Sequence, residues 1–242
     1  MNKTTFINRD GEKLDTSFHP GSREDCLIVI GHGVTGDKDR PLVVAMAEGL
    51  AANGWPCLRL SFAGNGRSEG DFRDATISKE SDDLQDLIDQ LPTTLKLAYA
   101  GHSMGGAVGV LTASKDMRIR VVINLAGMIR TALFCEREFG EVIPDHGNMW
   151  DEEGCPLSQS FVDDMNAIGN LFEQVAGLEQ PLLFIHGTAD DVVLPDDSVD
   201  AHAQSSDPKE LLLIEGAEHS FDDHTYASVV AAADEWLAKH MS

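Results

Sequence analysis

Basic residues are scarce in this chain of 242 residues: 18 Lys and Arg stand against 41 Asp and Glu, a formal net charge of −23. A field of that sign repels phosphate backbones and anionic lipid. Nucleic acid and membrane surfaces are therefore excluded as expected partners, and a small molecule is favoured, with a homodimer kept open. Long apolar runs are missing too. No stretch approaches the ~20 residues of a membrane span, and the start, MNKTTFINRDGEKL, has neither the apolar segment nor the small-residue cleavage site of a secretory signal. A cytoplasmic location is the expectation. Cysteine is sparse and poorly spaced for chemistry. Cys26 and Cys57 lie in apolar runs, where a thiol behaves as a small hydrophobe, and Cys135 and Cys155 are too far apart for a CxxC site. No metal site and no cofactor are expected.

What is present is alternation. Short apolar runs at 26–30, 57–62, 95–101, 120–126, 181–187 and 210–216 are separated by stretches of helical spacing, the pattern of an α/β fold with a mostly parallel twisted sheet and helices on both faces. The near-continuous apolar character of the runs fits strands covered on both sides. Ile77, Leu84, Leu87, Ile88 and Leu91 line one side of a helix, as do Val229, Val230, Ala233, Trp236 and Leu237. The segments TTFINRD and KLDTSFH flank Asp10-Gly11, a hairpin signal that places two antiparallel strands ahead of the parallel part. The rhythm breaks between Gly127 and Leu178, where HGNMWDEEGCPLSQS leads into a helical stretch from Phe161 to Val175. An excursion of that length between core strands reads as a cap over a site. The expectation is one domain over residues 1–242 with a short cap inserted at about 128–178.

Two glycine motifs compete for the site. Gly31, Gly33 and Gly36 spell G-x-G-x-x-G after the first long apolar run. A dinucleotide site needs a helix starting at the third glycine and an acidic residue at the end of the next strand. Here DKDR follows Gly36, with Asp39 as the expected N-cap and Pro41 in the first helical turn, and the next strand ends LRLSFAGNG without a carboxylate. A phosphate-binding P-loop fails as well, because Asp37 separates Gly36 from Lys38 and no Ser or Thr follows.

The second motif is stronger. Gly101-His102-Ser103-Met104-Gly105 matches G-x-S-x-G, with a strand entering and a run of small residues leaving. A nucleophile on a tight strand-to-helix turn needs glycine two positions to either side, since a Cβ there would collide across the turn. A plain N-cap serine would not require both glycines. Serine is a poor nucleophile unless a base, itself oriented by an acid, takes its proton. In an open parallel sheet those partners come from loops at the carboxyl ends of later strands. Thr188-Ala189-Asp190-Asp191 follows one such strand and Ala217-Glu218-His219 the next. Spacing alone leaves Asp190 and Asp191 equivalent. Among the nearby histidines, His186 falls at a strand end as a core residue, and His224 falls where the last helix is expected to have begun, which favours His219 as the base.

With GHGVTG, LSFAGNGRSEG, GHSMGG, HGTADDVV and GAEHSF, the chain resembles the serine hydrolases of the α/β-hydrolase fold over nearly its whole length. Within them it is most similar to small bacterial esterases of the cinnamoyl or feruloyl type. The resemblance implies Ser103 as nucleophile, Asp190 rather than Asp191 as the acid, and His219 as general base. It also implies an oxyanion hole formed by the backbone N–H groups of Val34 and Met104, in a serine carboxylesterase acting on a small-molecule ester. Those esterases usually carry an aromatic residue where this chain has Val34 and glutamine where it has Met104; both positions act through the backbone. Phe134, Met149, Trp150 and Phe172 are candidates for an apolar acyl or alcohol pocket under the cap. The acidic balance adds an expected preference for neutral over anionic esters. Thioester, peptide or lactone hydrolysis on the same triad, and a non-catalytic binding protein on the same fold, are the alternatives.

Overall fold

The computed structural model describes residues 5–241, so Thr4, with which the first hairpin segment begins, lies outside the described residues. In chain order the elements are β1 (Phe6–Ile7), β2 (Lys13–Leu14), β3 (Thr16–His19), β4 (Cys26–Gly31), α1 (Pro41–Ala52), β5 (Cys57–Leu60) and α2 (Ile77–Asp89). There follow β6 (Lys96–His102), α3 (Met104–Ala113), β7 (Ile119–Leu125), α4 (Thr131–Phe139), α5 (Gln159–Ile168) and α6 (Phe172–Gly177). β8 (Leu182–Gly187), α7 (Asp196–Gln204), β9 (Lys209–Ile214) and α8 (Tyr226–His240) complete the chain. Strands β3-β5-β4-β6-β7-β8-β9 form one sheet, antiparallel only between β3 and β5. β4, β5 and β8 are buried at every position, as strands packed on both faces must be. One face carries α1 and α8, the other α2, α3 and α7, each over its own apolar cluster. This is the α/β-hydrolase arrangement.

The Asp10-Gly11 turn joins β1 and β2 in a two-stranded sheet, with Gly11 at φ +82°. The second segment of the expected hairpin then splits, and β3 leaves its partner to pair with β5. The apolar run at 57–62 stops being strand at Leu60, because the Phe62 N–H donates to His32 Nε2 instead of to a neighbouring strand. The cap of α1 is Arg40 rather than Asp39, whose carboxylate is taken up by Lys38 and the buried Arg59; Pro41 stands at the first helical position as expected.

Between β7 and β8, where the cap was expected, lie α4, a 3-10 turn at Met149–Asp151, α5 and α6. The single helical stretch read over 161–175 is broken in two at Gly169, which sits at φ +69°. Among the described residues no helix is long and apolar enough to cross a membrane.

Candidate active site

Ser103 stands between β6 and α3 with φ +56° and ψ −120°, and its side chain does not cap the helix. This left-handed conformation is strained for any residue with a Cβ. The surroundings enforce it. A Cβ at Gly101 would collide with the Gly105 carbonyl, and one at Gly105 with the His32 carbonyl. Ser103 N–H donates to Leu125 O at 3.0 Å, while Ser103 O accepts from Gly106 N and Met128 N at 2.9 and 3.0 Å. The elbow is thus fastened to β7 and to the chain beyond it.

The loop after β4 lies directly over the serine: a Cβ at Gly33 would come within 2.7 Å of Ser103 Cβ. Fully buried His32 sets this loop. Its Nε2 accepts the Phe62 N–H at 3.1 Å, so the proton is on Nδ1, which donates to Gly33 O at 2.9 Å. Gly33 O also accepts from Gly36 N at 3.0 Å. In a trans peptide the carbonyl and the next N–H point opposite ways. With Gly33 O held inward twice, the Val34 N–H is turned outward, and Val34 lines the cavity that contains Ser103. The same logic applies one elbow away. Ser103 O is engaged inward, so the N–H of Met104, first residue of α3 and without an intrahelical acceptor, faces the other way. Burial keeps the His32 imidazole neutral by lowering its pKa to about 4.

Asp190 and His219 arrive from loops after β8 and β9, which Ala189 N–H ties together by donating to Ala217 O at 2.9 Å. Asp190 is buried while Asp191 is exposed. The Asp190 Oδ1 accepts from Val192 N and Val193 N, both at 2.9 Å, and Oδ2 accepts from His219 Nδ1 at 2.8 Å. Burial pushes this carboxyl up, but its contacts with His186 and His219 outweigh that and hold it well below the usual carboxylate range. With Nδ1–H committed to the carboxylate, His219 Nε2 is left with its lone pair. Ser103 and His219 line one cavity of about 540 Å³. Among the described residues no direct hydrogen bond joins the Ser103 hydroxyl to His219, a looseness common before substrate binds.

Two histidines that motif reading passed over touch this group. His102 Nε2 donates to the His219 backbone carbonyl at 2.9 Å, and the two rings lie 4.8 Å apart; burial, then the neighbouring His219, lowers its pKa to about 3. Fully buried His186 comes within 3.0 Å of Asp190 Oδ2. His224 lies in an exposed turn ahead of α8, which begins at Tyr226 and so later than expected.

Of the four apolar candidates, Trp150 lines the cavity, at a backbone φ of +49°. Its ring packs edge-on against Phe139 and Phe134, and its Nε1 donates to Glu138 Oε2 at 2.9 Å. Phe134 and Met149 are buried behind it, and Phe172 packs beneath the Arg130 guanidinium at 4.9 Å; none of these three lines the cavity. Arg40 and Glu152 stand at its wall, with Tyr226 and Leu42. A smaller pocket of about 190 Å³ between α4 and α7 contains none of Ser103, Asp190 and His219.

Known proteins resemble this chain along most of its length. Residues 22–144 match a family model described as serine aminopeptidase, S33. An uncharacterized protein, YfhR, of Escherichia coli (strain K12) is 26% identical over 228 residues, covering 88% of this chain and 72% of YfhR. Among solved structures, Est1E from Butyrivibrio proteoclasticus with ferulic acid bound superposes with a TM-score of 0.87 at 27% identity, over 98% of each chain. Alpha/beta hydrolase domain-containing protein 10 from mouse shares the fold at a TM-score of 0.81 and 18% identity, over 98% of this chain and 99% of that one.

Proposed function

The chain belongs to the serine aminopeptidase S33 family of α/β hydrolases, and on that premise we propose that it is a serine carboxylic ester hydrolase working through Ser103, His219 and Asp190. The observation that carries this is the His219 Nδ1 to Asp190 Oδ2 hydrogen bond of 2.8 Å at the wall of the cavity into which Ser103 opens. His219 Nε2 takes the Ser103 proton as Oγ attacks the ester carbonyl, and gives it to the departing alcohol. Water, deprotonated by the same imidazole, then releases the acid from the acyl-enzyme. Asp190 fixes the tautomer of His219 and stabilises its cation. The outward N–H groups of Val34 and Met104 receive the oxyanion.

The substrate class we propose is a small neutral ester with an aryl or hydroxycinnamoyl acyl group. Trp150 offers a flat apolar wall in the cavity, and the similar Est1E was solved with ferulic acid bound. A second reading, hydrolysis of an aminoacyl amide, is favoured by the family description and by Glu152, a carboxylate at the cavity wall able to meet a substrate ammonium.

A turnover panel tests both readings. It spans acetyl, butyryl, octanoyl and feruloyl esters, a matched anionic ester, and the p-nitroanilide of an unblocked amino acid. The proposal expects kcat/KM highest for a neutral aryl-containing ester, with the anionic ester slowest at low salt and gaining as salt rises. A clear preference for the aminoacyl anilide would replace the ester reading with the peptidase one.

A further inference from the structure

Resting on the reading of Ser103, His219 and Asp190 as a triad, we propose that His186 is a positioning residue that latches the acid, in the single tautomer that its two acceptor neighbours impose and the Ser198 hydroxyl completes. His186 is the penultimate residue of β8 and has no exposed surface. A buried imidazole is costly unless both nitrogens find partners, and here both do. Nδ1 lies 2.7 Å from the hydroxyl of Ser198 on α7, itself fully buried. Nε2 lies 2.9 Å from Val193 O and 3.0 Å from Asp190 Oδ2.

The tautomer follows from the chemistry of these neighbours. A backbone carbonyl and an ionised carboxylate can only accept, so the nitrogen facing both of them carries the proton. Nδ1 is then a lone pair and accepts the Ser198 O–H. The opposite tautomer would set three lone-pair atoms against one another in a site without water-accessible surface.

The latch acts on one short turn. Val193 is gripped on its carbonyl by His186, while its N–H, with that of Val192, grips Asp190 Oδ1. His186 also stands beside Oδ2, the oxygen that receives His219 Nδ1–H. Removing the donor unlatches the turn and leaves Oδ2 with one imidazole neighbour, so the carboxylate is free to rotate away from His219. His186 does not line the substrate cavity. Its loss is therefore expected to appear in kcat and not in KM.

Three variants and one spectrum decide the proposal. His186→Leu keeps the bulk and removes the donor; His186→Gln keeps a side-chain N–H; Ser198→Ala removes only the hydroxyl that donates to Nδ1. With melting temperature recorded for each, His186→Leu is expected to lower kcat by about 10²-fold, the scale of a small misplacement of a catalytic group, at nearly constant KM. Ser198→Ala should show a smaller loss in the same direction, and His186→Gln should recover most of what Leu loses. In resting wild-type protein, 15N-resolved NMR should find His186 protonated at Nε2. It should also find a downfield His219 Nδ1–H signal that persists in His186→Gln and disappears in His186→Leu. Wild-type kcat in folded His186→Leu, no recovery in folded His186→Gln, or a proton on Nδ1 would overturn the proposal. Where His186→Leu does not fold, Ser198→Ala and the tautomer decide it. The spectrum needs no substrate, so a wild type without esterase activity would refute the ester reading separately.

Discussion

At the scale of single residues, the role proposed for Val34 belongs to its backbone N–H and not to its side chain. The Gly33 carbonyl is held inward by His32 and Gly36, which turns the following N–H outward, and Val34 lines the cavity that Ser103 also lines. Val34→Ala should therefore leave kcat within a few-fold of wild type, whereas Val34→Pro, which deletes the donor, should lower kcat by about 10²- to 10³-fold with little change in KM. Equal losses in the two variants, measured on the same ester, would place the role in the side chain. Gly101 and Gly105 were legible as backbone room, and so was the serine between them, because a G-x-S-x-G turn constrains residue type on both sides of Ser103. The choice between Asp190 and Asp191 was not legible from spacing. It depends on which carboxylate the turn buries, and Val192 and Val193 N–H groups settle that by capturing Asp190. His186 was read as core and is core, yet it touches Asp190: a contact between positions four apart around a β-strand end leaves no period in the sequence.

At the scale of elements, α2 carries a cost. Its apolar face was legible from Ile77, Leu84, Leu87 and Ile88, and Thr76 caps it by accepting from Lys79 N at 3.1 Å. The same face buries Glu80 and Asp83. Among the described residues Glu80 Oε1 has only Asn65 Nδ2 at 3.3 Å, and Oε2 has no partner. Burial, aided by the charge of Asp83, raises the Glu80 pKa well above its ordinary value. A carboxyl raised on folding contributes stability that is present below its unfolded pKa and is lost as pH rises. Glu80→Gln, neutral at every pH, is thus expected to be more stable than wild type at pH 7, with the gap closing toward about pH 4.5. Denaturant titrations across that range check this, and a destabilised Glu80→Gln at pH 7 would contradict it. The elements that sequence periodicity missed are of a different kind. α4 is only nine residues long and forms against α5 and the 3-10 turn, while α5 and α6 are separated by the left-handed Gly169, which a smooth helical pattern conceals.

At the scale of the whole molecule, the strand order places Ser103, the Val34 loop, Asp190 and His219 at the same end of one sheet, after β6, β4, β8 and β9. That convergence was legible because each candidate followed an apolar run. What the pattern did not carry is the cavity wall. Trp150 reaches it from a segment with no regular repeat, and Arg40 and Glu152 put both signs of charge beside a chain whose net charge is −23. The long-range field and the local wall therefore act on different parts of catalysis: the first on encounter, which salt screens, the second on the bound substrate. The proposed ester chemistry, however, rests on one atom. Incubating the folded protein with a fluorophosphonate ester and mapping the adduct by peptide mass spectrometry tests whether Ser103 Oγ is an activated nucleophile. The expected result is a single phosphonylated residue, Ser103, with ester turnover lost in proportion to labelling and neither label nor turnover in Ser103→Ala. An unlabelled Ser103 in folded protein, or wild-type turnover in Ser103→Ala, would contradict it.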